Sequence, residues 1–138
     1  MKILSFAALV LVMAAPATHV LAQASGPVPV KLDLYDGDKY SHRFSDGIRG
    51  AVGGDSRYTV VDKLPPEGLK ISVDTAISYD EGNAAETASY SVSLKLGSGK
   101  FVNSLTGWCD VKKFDMCGRV VAEDAYNAYE AYMAAHPN

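Results

Sequence analysis

The 138-residue chain has little of what usually announces a function. It holds two cysteines, one tryptophan and three histidines. A structural zinc site takes four ligands, and once His19 is set aside with the leader described below, only Cys109, Cys117, His42 and His136 remain. His42 belongs to the outer face of its expected helix, so no metal is assigned. No Gly-x-Gly-x-x-Gly, P-loop or Gly-x-Ser-x-Gly elbow occurs, so no cofactor and no catalytic residue is assigned. The glycine-rich stretch GIRGAVGG (47–54) closes a helix and does not open one, which is the wrong pole for phosphate. Basic residues are sparse as well. Lys112 and Lys113 form the densest basic spot, too little for the electrostatic footprint of a nucleic-acid binder.

Long apolar runs are missing outside the first two dozen residues. MKILSFAALVLVMAAPATHVLAQA carries one lysine, an apolar run from Ile3 to Ala15 and alanine-terminated triplets at Val20-Leu21-Ala22 and Ala22-Gln23-Ala24. The pattern is that of a secretory signal peptide cleaved after Ala22 or Ala24. The run falls short of the ~20 apolar residues a spanning helix needs. Removing 24 residues leaves 138 − 24 = 114, a size suited to one domain, residues 25–138. Its charge is 12 − 16 = −4, since only Lys2 is lost from the charged set. The expected location is the periplasm or the extracellular space.

What is present is patterning. VKLDLYD (30–36) alternates as a strand does, and GDKYSHRFSDGIRGAVGG (37–54) repeats Tyr40, Phe44, Ile48 and Ala51 at helical period. Gly53 and Gly54 are expected to end that helix in a left-handed cap, and Gly47 to admit close approach to a sheet. Further strands are expected at 57–61, 69–79, 88–96 and 101–111, joined by short turns into an antiparallel meander. A second helix over about 116–136 places Cys117, Val121, Ala125, Ala128, Tyr132 and Ala135 inward. Asp124 falls beside that stripe, with Arg119, a backbone amide or exposure as its resolution. The reading is an α+β fold: a two-layer domain with a mostly antiparallel sheet of about five strands and two helices (about 38–53 and 116–136) on one face. Its element order resembles that of small periplasmic modules of envelope-assembly proteins, and no motif accompanies the resemblance.

Alternation in FVNSLTGWCDV (101–111) puts Phe101, Leu105, Cys109 and Val111 on the core side. Cys109 and Cys117 then point into the same interlayer space. In an oxidising compartment that argues for a disulfide. A thioredoxin-like pair would need two intervening residues, and here there are seven.

Other polar constellations fail as sites. Gly54-Asp55-Ser56 has the Gly-Asp-Ser order of an esterase family, whose base is an Asp-x-x-His near the C-terminus. Met133 stands three before His136, so the pattern breaks and the residues make a turn. Asp80, Glu81, Asn83 and Glu86 share one loop without the ordered spacing of a calcium site.

What remains is the sheet face turned away from the helices. Ser72, Asp74, Ser91, Ser93, Ser104, Thr106 and Trp108 are expected there. A tryptophan among hydroxyl side chains on an uncovered face suits a contact surface. The expected function is therefore an exported, non-enzymatic binding or cell-envelope interaction domain, with another envelope or extracellular protein as partner. The rivals are a small secreted hydrolase using scattered carboxylates such as Asp74 and Asp124, and a secreted inhibitor or effector.

Overall fold

Asp38 begins the first helix. Its carboxylate accepts hydrogen bonds from the backbone N–H groups of Tyr40 (3.1 Å) and Ser41 (3.0 Å) and from the Ser41 hydroxyl (2.6 Å). Those bonds satisfy donors that a helix start leaves free. The computed structural model describes residues 26–79 and 86–138. In chain order its elements are β1 (Val28–Leu34), α1 (Lys39–Gly53), β2 (Tyr58–Val60), β3 (Leu69–Val73), β4 (Ser78–Tyr79), β5 (Thr87–Leu96), β6 (Phe101–Asp110) and α2 (Phe114–Ala135). Together they form an α+β fold of two layers, a six-stranded sheet with both helices on one face. The expected leader and the loop residues 80–85 lie outside the described residues. Replacing Asp38 with alanine is expected to lower stability by ~1 kcal/mol. Chemical denaturation read by circular dichroism checks this; an unchanged midpoint would contradict it.

The strand order is β2-β1-β3-β5, with β4 and β6 also paired to β5. The pairings of β5 with β3, β4 and β6 are antiparallel. The meander does not extend to the first strands: β1 runs parallel to both β2 and β3. Helix α1 makes the crossover from β1 to β2. The next connection, DKLPPEG (62–68), is not the hairpin turn expected from the sequence and instead passes across β1. Pro66 takes the second position of a turn closed by Gly68 N–H to Pro65 O (3.0 Å), and the loop is pinned to the β5–β6 turn by Gly97 N–H to Gly68 O (2.9 Å) and Ser98 N–H to Pro66 O (2.9 Å).

The single strand expected at 69–79 is two. Between the pairs Ser72–Ser93 and Ser78–Ser89, residues 73–77 stand opposite only 90–92. The buried Ser41 hydroxyl accepts from Ile77 N–H (3.1 Å) where the chain leaves the ladder. Local alternation could not show this, because the compensating partner lies on α1.

The core joins Val30, Leu69, Ile71, Val92 and Leu94 of the sheet to Phe44, Ile48 and Val52 of α1 and Val121 and Ala125 of α2. Two tyrosine hydroxyls brace the layers: Tyr58 donates to Ala122 O (2.6 Å) and Tyr129 to Glu67 O (2.8 Å). Burial raises both phenol pKa values above the ordinary tyrosine range.

Several helix expectations change. The buried stripe of α2 is Phe114, Gly118, Val121, Ala122, Ala125 and Tyr129, so Tyr129 goes inward and Tyr132 sits at the flank. Asp124 is exposed. The cause of this rotation is the contact between helices. A Cβ on Gly118 would stand 2.1 Å from Gly47 O, and one on Gly47 would stand 2.3 Å from Phe114 O. Gly47 thus admits the other helix and not the sheet. The α1 cap also differs: Gly54 has φ −90°, a right-handed conformation, and its N–H reaches Gly50 O.

Candidate functional site

The disulfide closes the junction between β6 and α2. Cys109 and Cys117 are bonded, with Cα atoms 6.1 Å apart. Cys109 is buried in the core, and Cys117 packs at its edge. Seven intervening residues make the turn from strand to helix, so the bond holds the end of β6 against the start of α2.

Next to that junction lies the outer face of the sheet. Register places Asp33, Ser72, Ser93 and Ser104 in one row across four strands. Ser91 pairs with Thr106, and Ser89 with Trp108. Ser72 is buried within the row, whereas Ser91, Ser104 and Thr106 are exposed and Ser93 is half-buried. Asp74 is exposed just beyond the end of β3. The surface residues expected from the sequence, Trp108, Ser91, Ser93, Ser104 and Thr106, therefore do share one face. Trp108 is 75 % exposed, which excludes a ring lying flat over its neighbours. Both helices occupy the opposite face, and Ser91, Ser104, Thr106 and Trp108 stand exposed on this one.

A shift in register near the hairpin alters one assignment. Leu94 pairs with Asn103 but Lys95 pairs with Phe101, leaving Val102 as an extra residue in β6. Phe101 is thereby turned to the outer face, 59 % exposed, and not to the core side with Cys109. Gly107, by contrast, faces the core. The ring of its cross-strand partner Tyr90 fills the space, with the hydroxyl 2.5 Å from where a Cβ would be.

Two charged networks are not among the features singled out from the sequence. On the surface of α1, Arg49 bonds Asp36 and Asp46 (2.8 Å each), and His42 faces the same two carboxylates at 3.8 and 3.2 Å. The i,i+3 and i,i+4 spacings of Asp46 were the available signal; Asp36 arrives from the preceding loop. The second network centres on Arg57, which bonds Asp55 (2.7 Å) and Glu123 and lies over the Tyr126 ring at 4.5 Å. Asp55 and Ser56 make the expected turn, with Arg57 N–H bonded to the Asp55 carboxylate (2.9 Å). In both networks each acid already has a cation, so neither presents a free base.

The hydrolase rival gains little from this geometry. Asp74 belongs to the strand layer and Asp124 to the helix layer, and both are exposed. No group of three or more metal-ligating side chains is assembled among the described residues. No helix among them is long and apolar enough to cross a membrane.

The carboxylates set an acid limb. Hydrogen bonds from Ser41 hold Asp38 below its usual range, and Arg57 does the same for Asp55 and Glu123. A depressed folded-state pKa contributes stability that is fully present above the unfolded value of about 4 and is lost as pH falls through the folded one. The melting temperature should therefore be flat in these groups from pH 7 to about 5 and fall below about 4. Arg57→Gln should flatten that limb by removing the share of Asp55 and Glu123. Thermal melts of both proteins across pH check this; an equally steep limb in the variant would contradict it.

No family model matches the chain, and no curated protein matches it. Among solved structures it is similar to a chain of a dodecamer of a PelC point variant from Paraburkholderia phytofirmans, with 10 % sequence identity and a TM-score of 0.48 over 75 % of this chain and 89 % of that one. At that identity and score the likeness assigns no role to any residue here.

Proposed function

We propose that this chain is an exported, disulfide-closed binding domain whose outer β5–β6 face docks another envelope or extracellular protein. The observation carrying the reading is Trp108, a large amphipathic side chain left 75 % exposed amid Ser91, Ser93, Ser104 and Thr106. Hydroxyl groups give up water at lower cost than charges, and an exposed indole supplies area to bury on contact. The leader pattern at residues 1–24 and the Cys109–Cys117 bond support export to an oxidising compartment.

Trp108→Ala tests it. Stability should change by less than ~0.5 kcal/mol, as at a surface site. A buried tryptophan would cost ~3–5 kcal/mol. Capture of proteins from an envelope extract by the mature domain should weaken at least tenfold. Unchanged stability with unchanged capture would make Trp108 incidental.

A further inference from the structure

Among the described residues, β6 pairs with β5 alone and leaves its other edge open. The bonds Val111 N–H to Glu86 O (3.1 Å) and Leu96 N–H to Lys100 O (2.8 Å) fix the phase of the β5–β6 ladder. In an antiparallel ladder these directions alternate. Asn103, Leu105, Gly107 and Cys109 therefore bond β5, while the backbone groups of Ser104, Thr106, Trp108 and Asp110 point to the open edge. Ser104 N–H is taken up by the Asn103 side chain (2.8 Å), an independent sign that it points away from β5. Thr106 and Trp108 keep both N–H and C=O free of partners among the described residues. Their side chains lie on the outer face, so edge and face form one continuous surface.

Exposed edges are ordinarily protected by lysine, proline or an inward charge. Between Phe101 and Cys109 this strand carries none of them, and its one irregularity sits at Val102, before the open stretch. We infer that β6 pairs antiparallel with β6 of a second copy of this chain, about a two-fold axis at Thr106. Such a contact must be self-complementary. With Thr106 opposite Thr106 of the partner subunit, Ser104 falls opposite Trp108 of the partner subunit, and the reverse. The free donors of Thr106 and Trp108 then meet free acceptors: each Thr106 N–H reaches the other Thr106 carbonyl, and each Trp108 N–H reaches a Ser104 carbonyl. Asp110 falls opposite Val102 of the partner subunit, so no like charges face each other. On the outer face each indole lies beside Ser104 and diagonal to Thr106, the aromatic and β-branched neighbourhood that stabilises cross-strand pairs. The two sheets become one, with both tryptophans near its centre.

Sedimentation equilibrium of the mature, oxidised protein tests the pairing. The mass should rise to twice that of the monomer with concentration. Trp108 is the only tryptophan, and its emission should move to shorter wavelength in step with the mass. Thr106→Pro removes a donor that faces the open edge and leaves every β5–β6 bond in place, so it should weaken association at least tenfold. Should that variant fail to fold, Thr106→Lys sets two cations against each other across the axis and should have the same effect, relieved by salt. A monomer at every concentration would overturn the inference. So would a dimer indifferent to Thr106→Lys, or one formed without a change in emission. Neither result bears on docking of another protein to the outer face, which Trp108→Ala reads separately through capture from the extract.

Discussion

Gly118→Ala is expected to be strongly destabilising. The new Cβ would stand 2.1 Å from Gly47 O and 2.2 Å from Gly47 C, both backbone atoms of α1. Neither can rotate aside, so the helices must separate. Overpacking of this kind costs ~3 kcal/mol, and the better helix propensity of alanine returns at most ~1. The net loss of ~2 kcal/mol corresponds to a melting temperature lower by ~8 °C, at ~4 °C per kcal/mol for a domain of this size. The control is Gly50→Ala on α1, where nothing lies within 4 Å of an added Cβ. There the same substitution should stabilise by up to ~1 kcal/mol. A thermal melt of the pair checks both signs. Equal effects at Gly118 and Gly50 would mean that the helices do not cross at Gly47.

Loss of the disulfide is the second large effect. Closing nine residues, Cys109 to Cys117, removes ~2.5 kcal/mol of unfolded-state chain entropy in the loop-closure treatment. Cys109→Ala with Cys117→Ala should therefore lower the melting temperature by ~10 °C at ~4 °C per kcal/mol. Alanine is the right replacement, since Cys109 is buried and a serine there would need a new hydrogen-bond partner. Because the bond ties β6 to α2, exchange protection should fall first in the opening turn of α2, around Phe114–Gly118. Native protein should also resist thiol alkylation until it is reduced. Rapid labelling of both cysteines without reductant would contradict the bond.

The sheet faces and both helices were legible because they depend on neighbours in sequence. Alternation in residues 88–96 and 104–110 assigns inward and outward side chains correctly, and with them the outer position of Trp108. Phe101 was misplaced because one extra residue, Val102, reverses the alternation, and only the partner strand shows it. The parallel placement of β1 between β2 and β3 is likewise a long-range fact. The α2 stripe was read one position off in its second half, since helical period gives a face but not its rotation. The Gly47–Gly118 crossing fixes that rotation, and nothing near Gly118 in sequence names Gly47. The disulfide was legible by a different route, through compartment and counting. The free hydrogen-bonding groups of β6 were not, because their direction follows from the phase of the ladder.

Met116 and Val120 on α2 are also exposed, 52 % and 48 %, and offer the chief alternative to the outer sheet face as a contact surface. A photo-crosslinking side chain placed at Ser91, on the outer face but away from the β6 edge, and another at Val120 on α2 separate the two when the protein is mixed with an envelope extract. Docking on the outer sheet face predicts adducts with a different polypeptide from position 91, reduced by Trp108→Ala, and none from position 120. Adducts from position 120 alone would contradict it.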